Sequence, residues 1–206
     1  KIILMEELKN GKITVIISAH GAELQSIKSA EGREYLWQGD EKYWPRRSPL
    51  LFPIVCGLWN GQYRVDGKTY ELPRHGFARD MDFDVIEKTE SSVTYELTSN
   101  EETMKVYPYE FGLNVSYFLN DDMINVVWTV RNMGKEEMHF QIGGHPAFNL
   151  PDVGEGDKVE GTLLFDNEQP LTRIIGNTGG CIKPERYDVK TDRHIWAFDE
   201  ESFADD

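Results

Sequence analysis

The stretch LNVSYFLNDDMINVVWTV, residues 113–130, sets two alternating runs around one polar turn. Leu113, Val115, Tyr117 and Leu119 occupy every second position, and Ile124, Val126, Trp128 and Val130 do the same beyond Asn120-Asp121-Asp122. A period of two sends successive side chains to opposite faces, and β-branched and aromatic residues suit a half-buried pleated surface. The stretch therefore predicts a β-hairpin, closed off by Asn132-Met133-Gly134. The same period recurs at Ile13, Val15 and Ile17 and at Val93, Tyr95 and Leu97. In QYRVDGKTYEL, residues 62–72, Asp66-Gly67 sits between two short alternating runs, a strong hairpin signal. No window repeats apolar residues at i, i+3, i+4 and i+7 for long enough to predict a helix. Many strands, short polar turns and almost no helix predict an all-β chain, an antiparallel sandwich or barrel.

The 206 residues are 39% apolar and 12% aromatic, enough to bury a substantial core, and are expected to form one domain. PDVGEGDKVEG, residues 151–161, reads as a long surface loop rather than a linker. With 36 acidic and 22 basic residues the net charge is −14. Such a surface repels phosphate backbones and anionic lipid, which argues against nucleic-acid and membrane-surface roles. Cys56 and Cys181 make neither a disulfide framework nor a zinc site. They read as ordinary small apolar residues, compatible with a reducing cytoplasm, the expected location. No apolar run approaches membrane-spanning length, and the N-terminal residues, which open on Lys1, contain no signal-peptide core.

Three segments behave like neither plain strand nor plain turn. YWPRRSPLLFPIV, residues 43–55, holds Pro45, Pro49 and Pro53, which cannot donate to a sheet ladder and mark an irregular or edge segment. Its Arg46 and Arg47 either cover the rim of the sheet or face a ligand. ELPRHGFARDMDF, residues 71–83, gathers Arg74, His75 and Arg79 in one loop of an acidic chain. That loop is either a solvated connection or a site that binds anions or hydroxyls. In FQIGGHPAFNL, residues 140–150, Gly143-Gly144 permits close backbone approach and Pro146 stiffens the chain after His145. The five histidines show no HxH or HExxH spacing, neither cysteine adjoins a histidine, and no GxSxG or P-loop occurs. A metal-free site is therefore expected. A site of histidine, arginine and carboxylate suits proton transfer on a polyhydroxylated ligand.

Taken together, WPRRSPLLFPIV, LPRHGFARD and GGHPAF resemble the aldose 1-epimerases (mutarotases), most closely their LacX-like branch, which is related to the hexose-6-phosphate epimerases. The resemblance runs from SAHGAEL, residues 18–24, through at least GGHPAFNLP. It implies a large antiparallel β-sandwich of the galactose-mutarotase-like type, with a sugar cleft across one sheet and a monosaccharide or sugar phosphate as partner. In the family a glutamate removes the anomeric hydroxyl proton while a histidine protonates the ring oxygen, without metal or cofactor. His145 matches that general acid, and His75 matches a second, substrate-binding histidine. Arg46 and Arg79 match arginines that hold sugar hydroxyls or a phosphate, with Arg47 and Arg74 beside them. The family's Glu-Pro-Trp segment, which carries the catalytic glutamate, has no counterpart here. Glu200 and Glu201 do not match it, and Asp205 aligns only loosely with a substrate-binding aspartate. Two readings follow: a longer protein whose tail carries the base and the closing strands, or a sugar-binding module that lacks the base. The first is expected, because an unpaired sheet edge invites aggregation.

Overall fold

The computed structural model describes residues 4–150, 158, 160–166, 169–176 and 182–203. By contact pattern the chain divides into two compact units, residues 1–149 and 150–206.

In the first unit, β1 (Met5–Lys9), β2 (Ile13–Ser18) and β3 (Glu23–Ser29) form an antiparallel sheet in that order. After β4 (Leu50–Leu51) come the hairpin β5 (Gln62–Val65) and β6 (Lys68–Glu71), then β7 (Asp84–Lys88) and β8 (Ser92–Thr98). A six-residue helix, α1 (Glu101–Val106), precedes β9 (Phe111–Asn120), β10 (Met123–Asn132) and β11 (Gly143–Gly144). The larger sheet has the order β10-β9-β8-β7, and β11 pairs with β4. The two predicted hairpins are present, and Asp66 and Asp121 take the left-handed backbone that two-residue turns require.

The alternation in sequence explains which faces meet. Leu8, Val15 and Ile17 of the three-stranded sheet share one buried cluster with Val93, Tyr95, Leu97, Leu113, Val115 and Tyr117 of the larger sheet. Two phenol groups cross between them: Tyr117 Oη donates to Ala22 O at 2.7 Å and Tyr95 Oη to Ile17 O at 3.4 Å. Burial holds both phenols far above their ordinary pKa, so they remain donors. The arrangement is the expected all-β antiparallel sandwich.

β10 departs from expectation. Its alternation predicts half-burial, yet most of it is exposed, because β10 is the edge strand of its sheet. Ile124, Val126 and Trp128 line an apolar cavity of about 780 Å³, and Ile124 also packs against the core. The helix α1 was too short to show a 3.6-residue period. Its start is nonetheless defined by a reciprocal cap, in which Asn100 Oδ1 accepts from Thr103 N and Thr103 Oγ1 accepts from Asn100 N. Cys56 is a free, exposed cysteine with φ +65°. Cys181 lies outside the described residues, as do Asp205 and most of the 151–161 loop.

In the second unit β12 (Gly161–Leu164) pairs antiparallel with β15 (Ile195–Phe198), and β13 (Thr172–Gly176) with β14 (Ile182–Asp188). Among the described residues no helix is long and apolar enough to cross a membrane.

Candidate functional site

The three irregular segments are neighbours, tied together through their main chains. The proline-rich segment lies between the other two. On one side, Gln141 N donates to Pro53 O, His145 N to Pro49 O and Ala147 N to Arg47 O. On the other, Phe77 N and Ala78 N donate to Phe52 O, and His75 N donates to Cys56 O. The short β4–β11 pair anchors this frame, and because side chains alternate, its two faces differ. Leu50 points to the apolar cavity, whereas Leu51 lines a second cavity of about 310 Å³ with Trp44, Pro49, Arg74, His75, Arg79 and His145.

That second cavity gathers both histidines and two of the arginines. The rings of His75 and His145 lie 6.2 Å apart, centroid to centroid, and Trp44 lies 5.0 Å from His145. His75 sits in the left-handed region at φ +69°, a conformation that costs a residue with a Cβ about 1–2 kcal/mol. A reciprocal pair of bonds to Cys56 holds it there: His75 N donates to Cys56 O at 2.9 Å, and Cys56 N donates to His75 Nδ1 at 3.0 Å. Nδ1 is thereby an acceptor, so neutral His75 carries its proton on Nε2. Burial, then the charges of Arg79 and Arg74, with His145 and Arg46 behind them, push His75 down to about 4. Its chemistry near neutrality is that of a fixed N–H donor. The ring of His145 makes no side-chain hydrogen bond among the described residues, and its side chain is exposed to the cavity mouth.

The titration of His75 is testable. Its imidazole carbon and nitrogen shifts are expected to stay at neutral-ring values from pH 8 to 5 and to move with a midpoint near 4. The sign for stability follows. Between about pH 6.5 and 4 the unfolded chain gains a proton that the folded chain refuses, so stability present above 6.5 is lost on acidification through 4. A midpoint near 6.5 would show that burial and the neighbouring arginines do not act on the ring as this placement requires.

The arginines divide by role. Arg79 Nη2 donates to Arg74 O at 2.8 Å, and its Nε lies 3.5 Å from Asp80 Oδ2. Asp80 Oδ1 accepts from Arg46 Nη2 at 2.6 Å, so one carboxylate bridges the two guanidinium groups. Arg46 itself lines an adjoining cavity of about 300 Å³ with His20, Glu23, Gln25, Pro45, Arg47 and Asp80. The structure thus brings His75, His145 and Arg79 into one cavity and links Arg46 to it through Asp80. Arg47 is committed elsewhere: its guanidinium donates to Gln25 O, Gln25 Oε1 and Gln38 O.

Two of the supporting residues had a sequence signal whose meaning was not local. Buried Glu23, from SAHGAEL, accepts at Oε1 from Arg47 N and Ser48 N, fixing the start of the irregular segment. Gly21, at φ +73°, lets that strand end lie against the HGFARD loop, since a Cβ there would stand 2.9 Å from Arg79 O. Among the described residues no group of three or more His, Cys, Asp or Glu side chains converges as metal ligands would.

A family model described as aldose 1-epimerase matches residues 6–167. The chain belongs to the aldose 1-epimerase family. It is 42% identical over 168 residues to the chromosomal LacX protein of Lactococcus lactis subsp. lactis, an overlap covering 79% of this chain and 56% of that one. The chain thus spans little more than half the length of that relative. Among solved structures, this aldose 1-epimerase family member matches a galactose mutarotase related enzyme from Lactobacillus acidophilus with a TM-score of 0.88 and 38% identity, over 98% of this chain and 68% of the other. A galactose mutarotase-like protein from Lactobacillus casei matches with the same TM-score and 35% identity, over 96% and 68%. The family and its LacX-like branch, read from three short motifs, agree with these matches.

Proposed function

We propose that the protein acts as an aldose 1-epimerase, an isomerase that interconverts the α and β anomers of a hexose or hexose phosphate by acid/base ring opening. One observation carries the reading: two imidazoles lie 6.2 Å apart in a cavity sized for a monosaccharide, one of them held by Cys56 N and the other without a side-chain hydrogen bond among the described residues. In this reading His145 protonates the ring oxygen as the anomeric C–O bond opens, then recovers the proton on closure. His75 donates from Nε2 to a sugar oxygen, and Arg79 and Arg46 hold the remaining oxygens. The base that removes the anomeric proton is not assigned to any residue described here. A carbohydrate-binding module that uses the same cavity is the second reading, since the histidine and arginine side chains gathered there suit hydroxyl binding as well.

The test is saturation-transfer NMR on the intact protein with glucose, galactose and glucose 6-phosphate. Anomer exchange above the buffer rate supports the epimerase. Binding without exchange selects the module.

A further inference from the structure

A cavity of about 430 Å³ opens on the hairpin β5–β6, lined by Trp59, Asn60, Gln62, Tyr63, Arg64 and Thr69. It shares no lining residue with the cavity that holds His75 and His145. Trp59 is 68% exposed, although leaving a large apolar ring in water is unfavourable. Its main chain is nonetheless fixed in the turn Trp59–Gly61. Gly61 N donates to Leu58 O at 2.9 Å, Gln62 N donates to Trp59 O, and Leu72 N donates to Gly61 O at 3.2 Å. Within the turn Asn60 takes the left-handed backbone at φ +54°, a local strain that the closed turn maintains. Tyr63 anchors the ribbon, packing on the core and donating from Oη to Val106 O at 2.7 Å.

The polar groups around this ring are arranged by the strand register. Cross-strand partners share a face, so Arg64 lies beside Thr69 and Gln62 beside Glu71 on one side of the ribbon. Gln62 Nε2 donates to Glu71 Oε1 at 3.0 Å, which orients the amide and leaves its oxygen free to accept. The side chains of Trp59, Asn60, Arg64 and Thr69 make no hydrogen bond or ion pair among the described residues. An indole, two planar amides, a guanidinium and a hydroxyl thus surround one hollow with most of their hydrogen-bonding capacity unspent. Glu71 offsets the charge of Arg64 on that face, so the hollow is not built to select an anion.

We propose that this hollow is a second saccharide site, separate from the cavity of the two histidines, and that it takes a neutral pyranose with equatorial hydroxyls, such as a β-glucosyl unit. A ring of that kind has apolar C–H faces and a polar rim. The indole of Trp59 covers one C–H face, removing apolar surface of both partners from water. The amides of Asn60 and Gln62 and the fork of Arg64 meet adjacent hydroxyls, each of which both donates and accepts. Trp59 and Arg64 are of the residue types that carry the largest share of binding energy at exposed recognition surfaces. Neither a histidine nor a carboxylate lines the hollow, so it holds a sugar without turning it over.

The experiment titrates the intact, nitrogen-15-labelled protein with methyl β-glucoside and with cellobiose. It follows the indole N–H of Trp59, assigned by its loss in Trp59→Ala, and the side-chain amide of Asn60. Both signals are expected to shift saturably with each sugar. Trp59→Ala is expected to weaken binding, read at Asn60, at least about tenfold, the scale of an aromatic hot spot. Arg64→Gln is expected to weaken it about fivefold, the scale of one hydrogen bond. Both side chains are exposed, so the backbone spectrum of either variant should match that of the parent protein. No saturable shift at Trp59 with either sugar up to about 100 mM would overturn the proposal, since that limit is far weaker than any specific site. Shifts confined to Trp44, beside His145, would overturn it too, by placing all binding in the other cavity. Inorganic phosphate moving the Trp59 signal as strongly as methyl β-glucoside would overturn the neutral-ligand part of it.

Discussion

Replacing His145 with alanine is expected to lower the anomer exchange rate by about 10²- to 10⁴-fold, the usual contribution of a positioned general acid. The ring oxygen is a poor leaving group for the anomeric carbon until it is protonated, and the proton must come from a group that holds and releases one near neutral pH. Burial, then neighbouring positive charge, lowers the proton affinity of His75, and Cys56 N occupies its Nδ1, so the proposed reaction draws its proton from the other imidazole of the cavity, His145. In the proposed reaction the loss falls on kcat, since His75 and the arginines are left to hold the sugar. Folding should be little affected: the His145 ring is exposed, and its anchoring bond to Pro49 O comes from the main chain. The measurement is exchange NMR beside a urea denaturation curve. An exchange rate within threefold of the parent protein, at unchanged stability, would remove His145 from the reaction. His75→Ala should behave differently, raising KM with a smaller change in kcat, because it removes a binding contact.

How much of this was legible in the sequence depends on the range of the interaction. Alternation around Val115 and Tyr117 is local, so it gave both the strands and the inward face, and the turn chemistry at Asp66-Gly67 and Asp121 gave the hairpins. Alternation could not say that β10 lies at an edge, since edge and central strands share one period. Three motifs pointed to His75, His145, Arg46 and Arg79, but nothing in them gave their relative placement. Asp80 stands beside Arg79 in sequence, yet its bond to Arg46 spans 34 positions, and no local pattern encodes that. Glu23 looked like one more polar residue until its two bonds to the backbone of Arg47 and Ser48 were seen. The depressed proton affinity of His75 was equally invisible, because it comes from burial and from charges assembled by the fold.

The glycine of the HGFARD loop is where sequence and packing constrain each other most tightly, and Gly76→Ala is expected to destabilise the protein by about 2–5 kcal/mol. Two costs combine. Gly76 has φ +71°, where a residue with a Cβ is strained by about 1–2 kcal/mol. A Cβ there would also stand 2.2 Å from Phe52 O and 2.4 Å from Phe52 C, and overpacking of this kind costs about 1–3 kcal/mol. The backbone of Phe52 has little room to yield. Its carbonyl accepts from both Phe77 N and Ala78 N, and its fully buried ring meets Phe77, Tyr107, Phe111 and Phe140. Gly67→Ala is the control, because Gly67 has φ +77° with nothing within 4 Å of the added carbon, so only the conformational cost of about 1–2 kcal/mol applies. Urea denaturation of both variants separates the two costs. Whatever relaxation relieves the clash must shift Phe52 or the adjacent His75, so the His75 resonance should lose its low-pH titration in the Gly76 variant and keep it in the Gly67 variant. Equal destabilisation of the two would show that the close approach to Phe52 carries no energetic weight, and that the loop holding His75 is anchored by something other than this contact.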